Sequence, residues 1–563
     1  MKIENSNSSL AIALLKALSE KGLQDYCVCP GARNAPLVAL LREYSQKEAS
    51  IQVFYFFDER AAAFFAIGRI RNTGRPVAVI TTSGTAAGEL LPATMEAHYS
   101  GVPLVLITAD RPKQFRGTGA PQTAEQVGLF GVYVDGCMDL DGDHYLESLA
   151  TFSKTTSFQT PFHVNVCFDE PLLDGQVSLT EIKDYQLTKK RPAEELMQQT
   201  EPRSENSIQS IQLINNFFKG IDCPIAIVSL LRPEEREGVV QLLLNLNIPA
   251  YFESISGLRE DPRLQPIRLH DTNRLMERAI QAGYPIDGIL RMGGVPTLRL
   301  WRDLEGKYSQ LRVLSLSRTS YSGLSRSSTL MRGLLPKLCD DLNAFFGHSK
   351  RPLTECSLKF IEMDQQAESR VQELLIAEPQ SEPGMVFALS RLICAEASRQ
   401  KVLPRVYLGN SLPIREWDLA ATRDFSGGEI WASRGLNGID GQISTFFGYA
   451  KAGASNWALV GDLTALYDLQ GPWVLPQLLE TEINLVIMNN GGGKIFSKMF
   501  PYPEFQNKHQ LRFSSFAELW NLNYSKLDLI PDQKLPDTTQ SRLIELIPNE
   551  EATGRFWESY SRL

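Results

Sequence analysis

Short apolar runs that do not alternate with polar residues, each followed by a helical pattern, recur along the whole chain. Such runs make strands buried on both faces, so they confine the chain to parallel α/β architecture. YCVCP (Tyr26 to Pro30) and IQVFYFF (Ile51 to Phe57) are the first two, the second leading into the helical ERAAAFFAIGRIR. PVAVITTSGTAAGELLPATMEAHYSGVPLVLITADRP then reads strand, turn, helix, strand, and PFHVNVCF (Pro161 to Phe168) adds another strand. A polar stretch from Val177 to Asn206 has the composition of an interdomain linker. The pattern resumes with PIAIVSL, IPAYFE, GILRMGG and LRVLSL, and the Ser-, Thr- and Arg-rich Ser315 to Ser328 reads as surface loops. A further boundary is expected between Ile361 and Pro383, before a helix beginning around Gly384. VYLGNS, NWALVGDLTALYDL and EINLVIMNNGGG complete the third cycle. The expectation is three consecutive α/β domains with mostly parallel sheets, at residues 1–182, 183–365 and 366–563. A chain of 563 residues exceeds what one hydrophobic core supports, which agrees.

Composition removes several classes of function. The net charge of −8, with neither a long basic run nor zinc-finger spacing, argues against nucleic-acid binding. It leaves room for an anionic substrate, because a few arginines can converge inside an acidic protein. The eight cysteines are scattered, and Cys27 and Cys29 lack redox CxxC spacing, which fits buried thiols in a reducing compartment. The N-terminus lacks the uninterrupted apolar stretch of a signal peptide, and Ser8 and Ser9 suggest a capped amphipathic helix. No stretch has eighteen consecutive apolar residues, so the expectation is a cytoplasmic protein without stable membrane insertion.

The segment GDLTALYDLQGPWVLPQLLETEINLVIMNN, Gly461 to Asn490, carries the most chemistry. An apolar strand at Trp457 to Val460 delivers Gly461 and Asp462, and a second at Ile483 to Met488 delivers Asn489 and Asn490. In a parallel βαβ unit both polar ends emerge on the same sheet edge, where ligands bind. Asp462 offers a hard anionic oxygen and Asn489 a neutral amide oxygen. A backbone carbonyl near Gly491 and phosphate oxygens would complete an octahedral Mg²⁺ shell. Taken alone, GD or NNG is also what any strand-to-turn junction supplies; the ordered pair across a full βαβ interval is the stronger signal.

That ordered pair resembles the diphosphate-binding signature of thiamine diphosphate-dependent enzymes, which begins GDG and ends NN; here Leu463 stands in place of the third glycine. PGARNAPL, TTSGTAAGELLPATMEA, LITADRP, GAPQT, GNSLPIRE, SRGLNGIDG and NNGGGKIF resemble blocks of one branch of that family, the MenD-like synthases. The resemblance implies a thiamine diphosphate-binding fold, with Mg²⁺ as the metal and Mn²⁺ accepted in its place. It also implies a homodimer or homotetramer with active sites between subunits. Members of this branch decarboxylate 2-oxoglutarate and add the resulting four-carbon unit to isochorismate in a 1,4-addition, on the way to menaquinone or phylloquinone.

Residue by residue, the resemblance makes Glu59 the catalytic acid that bonds the cofactor's aminopyrimidine. Gly461, Asp462, Leu463, Asn489, Gly491 and Ile439 become cofactor contacts, with Asp462, Asn489 and Gly491 on the metal and Ile439 beneath the thiazolium. Both substrates are dianions, which suits arginine forks. Arg33, Arg111, Gln122, Ser411 and Arg415 are implied on the isochorismate side, and Arg434 as the clamp for the distal 2-oxoglutarate carboxylate. Asn410 supports that pocket, and Arg299 in GGVPTLRLW is a candidate from the central domain. Ala32 and Pro121 depart from the serine and asparagine of relatives. No histidine sits in a block that demands acid–base work. Taken singly, Glu59 is also an ordinary helix-start acid, Ile439 a core residue, and each arginine a solvated surface residue. Two other readings stay open: another thiamine diphosphate-dependent 2-oxo acid lyase or carboligase, and a catalytically silent interaction protein with the same fold.

Overall fold

A computed structural model describes residues 7–142, 145–155, 160–173, 207–346, 352–425, 427–497, 499–500, 502–531, 534–536 and 540–563. The linker read at residues 177–206 lies outside them. Three six-stranded sheets follow one another along the chain, and every strand pair in them is parallel. The three α/β domains expected from the apolar runs are therefore present as three sheets.

The first sheet contains β1 (Asp25–Val28), β2 (Gln52–Tyr55), β3 (Val77–Thr81), β4 (Leu104–Asp110), β5 (Cys137–Leu140) and β6 (Phe162–Cys167), in the order β2-β1-β3-β4-β6-β5. The second contains β7 (Pro224–Val228), β8 (Ala250–Phe252), β9 (Arg268–Leu269), β10 (Gly288–Met292), β11 (Arg312–Ser317) and β12 (Thr329–Arg332), in the order β12-β11-β10-β7-β8-β9. The third contains β13 (Pro404–Leu408), β14 (Glu429–Trp431), β15 (Ser455–Gly461), β16 (Ile483–Met488), β17 (Asn523–Leu527) and β18 (Arg542–Leu546), in the order β14-β13-β15-β16-β18-β17.

The central strands are buried along their whole length, as in β3, β4 and β16, because helices cover both faces. Their Val, Ile and Leu side chains are the reason the runs lack polar alternation. Local signals fix the helices. Asp58 accepts the Ala61 N–H (2.7 Å) at the start of helix Glu59–Thr73, and Gly74 ends it at φ 68°. Ser381 caps helix Glu382–Gln400 by accepting the Gly384 N–H, so that helix begins two residues before the predicted start. Ser8 and Ser9 lie inside the first turn of helix Asn7–Glu20, not ahead of it. Ser315 and Ser317, read as loop, belong to the buried strand β11, and the irregular backbone is confined to residues 318–328. Most of the stretch from Ile361 to Pro383 is the helix Glu355–Ala377. All eight cysteines are free. Among the described residues, no helix is long and apolar enough to cross a membrane.

The chain forms two compact units. One contains residues 1–200 with 435–452 and 464–481; the other contains 201–434, 453–463 and 482–563. Within the first unit, helix Gln442–Tyr449 packs on helix Glu59–Thr73 through two glycines. A Cβ on Gly68 would stand 2.0 Å from the Thr445 carbonyl oxygen, and one on Gly448 would stand 2.0 Å from that of Phe65. Only glycine at both positions lets the backbones come this close.

Candidate functional site

The candidate residues of the first unit sit at the carboxyl ends of the first sheet. Glu59 opens the helix after β2, half-buried, and its carboxyl is raised above the ordinary range chiefly by desolvation. Its own backbone N–H opposes that shift, while Asp58 and Glu89 add to it. A carboxyl in this state keeps a proton to higher pH, as a hydrogen-bond donor to a ring nitrogen requires. Arg33 follows β1 and is buried, with Nη1 donating to the Phe168 carbonyl (3.0 Å) and Nη2 3.5 Å from Glu170. Asn34 braces the same turn, accepting the Gly31 N–H and donating to the Cys29 carbonyl, both at 2.8 Å. Arg111 follows β4, its N–H held by Asp110 (2.8 Å) and its Nε donating to the Pro121 carbonyl (3.1 Å). Gln122 is therefore tied next to Arg111, exposed and at φ 53°. Proline at 121 lacks a donor but serves here through its carbonyl. Ile439 is half-buried, in a loop whose start is pinned by Glu96. The two carboxylate oxygens of Glu96 accept the Gly435 and Leu436 N–H groups at 2.7 Å each.

The second unit gathers more of its candidates. Asn410 and Ser411 follow β13, and Arg434 follows β14. Asn410 is buried, donates to the Ser433 carbonyl (3.0 Å) and accepts from Arg434 Nη1. Ser411 sits at φ 73°, an uncommon conformation for a residue with a side chain, and its carbonyl accepts from Arg415 Nη1 (2.6 Å). Arg299 stands apart. Its side chain is 82% exposed and pairs with Asp303 at 3.7 Å, and the structure brings no other candidate to it.

At the ends of β15 and β16 lies the predicted ligand set. The two strands run in register, Gly461 opposite Met488, so Asp462 and Asn489 leave adjacent strands together. Asp462 is buried, its Oδ2 accepting the Gly491 and Gly492 N–H groups at 2.9 Å each and its Oδ1 the Leu463 N–H at 2.7 Å. Burial raises this carboxyl, and those backbone donors together with His509 pull it back. Gly491 and Gly492, at φ 81° and 133°, fold the loop back onto Asp462 as an L-residue would not. Asn489 uses its Nδ2 on the Leu511 carbonyl (2.9 Å) and Glu545 Oε1 (2.6 Å), while its Oδ1 is buried without a hydrogen-bond partner among the described residues. An orphaned buried oxygen is costly unless something electropositive sits there. Asp462 Oδ1, Asn489 Oδ1 and the Gly491 carbonyl are the oxygen donors Mg²⁺ takes, so these residues fit the ion. Among the described residues no group of three or more His, Cys, Asp and Glu could hold a metal.

Several side chains that no motif marks also brace the segments around the candidates. Glu545, a carboxylate within the fully buried strand β18, orients Asn489. Asn490 donates to Glu382 (2.8 Å), whose carboxyl is pushed up to about 7 by burial. Gln126 is buried, and its Oε1 accepts the Gly84 N–H (2.8 Å). A carboxylate between the apolar residues Ile544 and Leu546 of a buried strand was a readable signal for Glu545. For Gln126 the sequence offers none.

Residues 9–129 match the sequence model of the thiamine pyrophosphate enzymes' N-terminal TPP-binding domain. Over 560 residues, covering 99% of both chains, this chain is 42% identical to 2-succinyl-5-enolpyruvyl-6-hydroxy-3-cyclohexene-1-carboxylate synthase of Bdellovibrio bacteriovorus. The synthase of the same name from Akkermansia muciniphila is 36% identical over 98% of both chains, and that of Chloroflexus aurantiacus 29% identical over 91% of this chain and 88% of its own. The chain belongs to the 2-succinyl-5-enolpyruvyl-6-hydroxy-3-cyclohexene-1-carboxylate synthase family.

Proposed function

We propose that this chain decarboxylates 2-oxoglutarate and adds the remaining four-carbon unit to isochorismate by 1,4-addition, giving 2-succinyl-5-enolpyruvyl-6-hydroxy-3-cyclohexene-1-carboxylate. The observation that carries the reading is end-to-end similarity, 42% over 99% of both chains, to a synthase of that name. The pathway is that of menaquinone or phylloquinone, in the cytoplasm, and the working form is a homodimer or homotetramer.

Thiamine diphosphate, when bound, supplies the acidic thiazolium carbon and the electron sink that loss of CO₂ from a 2-oxo acid requires. Asp462, Asn489 and the Gly491 carbonyl hold Mg²⁺, or Mn²⁺ in its place, against the diphosphate, with Gly461 and Leu463 shaping the turn. Glu59 keeps its proton and donates it in a hydrogen bond to the aminopyrimidine ring; desolvation of its carboxyl supports this role. Ile439 supplies apolar contact under the thiazolium.

Arg434, steadied by Asn410, takes the distal carboxylate of 2-oxoglutarate. A guanidinium held on one side by an amide loses little entropy when a carboxylate docks on the other. Arg33, Arg111, Gln122, Ser411 and Arg415 orient isochorismate, and Arg299 is the central segment's contribution. The domains are residues 1–182 for the pyrimidine, 183–365 as the central domain and 366–563 for the diphosphate.

The test uses purified protein with Mg²⁺, thiamine diphosphate, 2-oxoglutarate and isochorismate, and follows products by mass spectrometry. The adduct is expected only in the complete mixture. Bound cofactor with neither adduct nor 2-oxoglutarate decarboxylation would sink the reading and point to another 2-oxo acid.

A further inference from the structure

The proposed cation ligands share one supporting segment. Residues 509–513, between helices Pro503–Gln506 and Ser514–Leu519, touch all three. The His509 backbone N–H donates to the Gly491 carbonyl (3.2 Å), and the Leu511 carbonyl accepts from Asn489 Nδ2 (2.9 Å). The His509 ring places Nε2 3.3 Å from Asp462 Oδ2, beside the carboxylate though not in line for a full hydrogen bond. The Leu511 N–H donates to His509 Nδ1 (3.2 Å), so Nδ1 is the unprotonated nitrogen and the ring proton sits on Nε2, toward Asp462. With Nε2–H facing Asp462 Oδ2 at 3.3 Å, the ring lies against the carboxylate and is not itself a ligand.

Glu545 completes the support. Its Oε1 accepts from Asn489 Nδ2 (2.6 Å), while Phe513 N–H (3.1 Å) and Tyr524 OH (2.6 Å) hold its Oε2. Leu511 and Glu545 together give both amide protons of Asn489 an acceptor. The amide is left with one satisfied orientation, the one that turns Oδ1 away from both acceptors. An amide free to flip would present N–H to a cation in its other state.

We propose that Glu545 and His509 are positioning residues for the divalent cation. Glu545 locks the Asn489 amide oxygen forward, and His509 holds the Asp462 carboxylate and the Gly491 turn together before the cation arrives. This rests on the reading of Asp462, Asn489 and Gly491 as its ligands.

The experiment is a Mn²⁺ titration of the full chain with thiamine diphosphate present, free Mn²⁺ being read by electron paramagnetic resonance. Glu545→Gln lets a side-chain N–H face Asn489 Oδ1, allowing the amide to turn, and is expected to weaken Mn²⁺ binding roughly 10–100-fold. His509→Ala is expected to weaken it about tenfold. His509→Gln places an N–H near the position of Nε2 and should restore most of the loss, which a merely structural role would not produce. Metal-free unfolding temperatures of the wild type and the two His509 variants should agree within a few degrees. If Glu545→Gln does not fold, the His509 pair decides. Wild-type affinity in His509→Ala, or no recovery in His509→Gln, overturns the proposal. A wild-type chain that binds no Mn²⁺ with thiamine diphosphate present instead overturns the ligand assignment beneath it.

Discussion

Strand for strand, the first and third sheets share one order, second-first-third-fourth-sixth-fifth, so corresponding loops leave corresponding strands. The loop after β1 carries Arg33, and that after β13 carries Ser411 and leads into the helix Leu412–Ala420 that bears Arg415; the end of β2 leads to Glu59 and that of β14 to Arg434. The difference lies at the next two strands. After β3, the Gly84 N–H is taken by the buried amide of Gln126. After β15 and β16, Asp462 gathers the Gly491 and Gly492 N–H groups while Asn489 Oδ1 stays open. One sheet end is closed with the protein's own amide and keeps a desolvated acid; the other keeps an unsatisfied oxygen. Topology places the loops; on the proposed function, a handful of side chains would give the first sheet end the acid Glu59 and the third the metal ligands Asp462 and Asn489.

The sharpest way to break this division is to exchange the two acids' roles by mutation. Glu59→Gln is expected to lower kcat by about 10²–10⁴-fold while leaving thiamine diphosphate affinity within a few-fold, because it removes an acid and not an anchor. Asp462→Asn should do the reverse, losing cofactor at concentrations that saturate the wild type; steady-state rates and equilibrium dialysis separate the two. Equal loss of cofactor in both would erase the distinction.

Next in size is Arg434→Lys, which keeps the charge but loses the fork. A hydrogen bond to a charged group is worth about 1.5–3 kcal/mol, so KM for 2-oxoglutarate should rise about 10–100-fold with KM for isochorismate little changed. Gly448→Ala tests the helix crossing, since its Cβ would meet the Phe65 carbonyl at 2.0 Å; overpacking of this kind costs about 1–3 kcal/mol, read as a lower denaturation midpoint.

The last prediction concerns pH. Asp468, whose oxygens accept Ser444 N–H (2.7 Å) and Oγ–H (2.9 Å), is pushed up to about 7 by burial, against 3.8 for an ordinary aspartate. The folded state holds this proton more tightly than the unfolded chain. Its contribution to stability is therefore full below about pH 4 and is lost as pH rises to about 7, with a slope under about 1.4 kcal/mol per pH unit. Asp468→Asn should flatten the melting temperature's fall across that window, and an unchanged slope would show that Asp468 is not responsible.

Strands with continuous apolar runs were legible. β16 occupies Ile483–Met488 as predicted, and β15 brackets Trp457 to Val460. The polar ends of those strands were legible too, because a βαβ interval fixes which side they leave by. His509 was not legible: its hydrogen bonds reach Gly491 and Leu511 from a segment with no periodicity, and its chemistry depends on which ring nitrogen Leu511 satisfies. Gln122 and Gln126 show the same limit. Four residues apart in one polar stretch, one is exposed and the other buried against Gly84, and only the packed chain tells them apart. The grouping of residues 435–452 and 464–481 with the first sheet escaped the sequence because contacts across such separations leave no local pattern.

The paired glycines have a consequence in time. Gly68 is synthesised early, but the helix that fits against it, Gln442–Tyr449, comes only after roughly three quarters of the chain has been made. At about 5–20 residues per second, the first helix waits tens of seconds on the ribosome with its small-residue face uncovered. The N-terminal unit thus finishes folding late, and a chain truncated before residue 442 would lack the helix that covers that face.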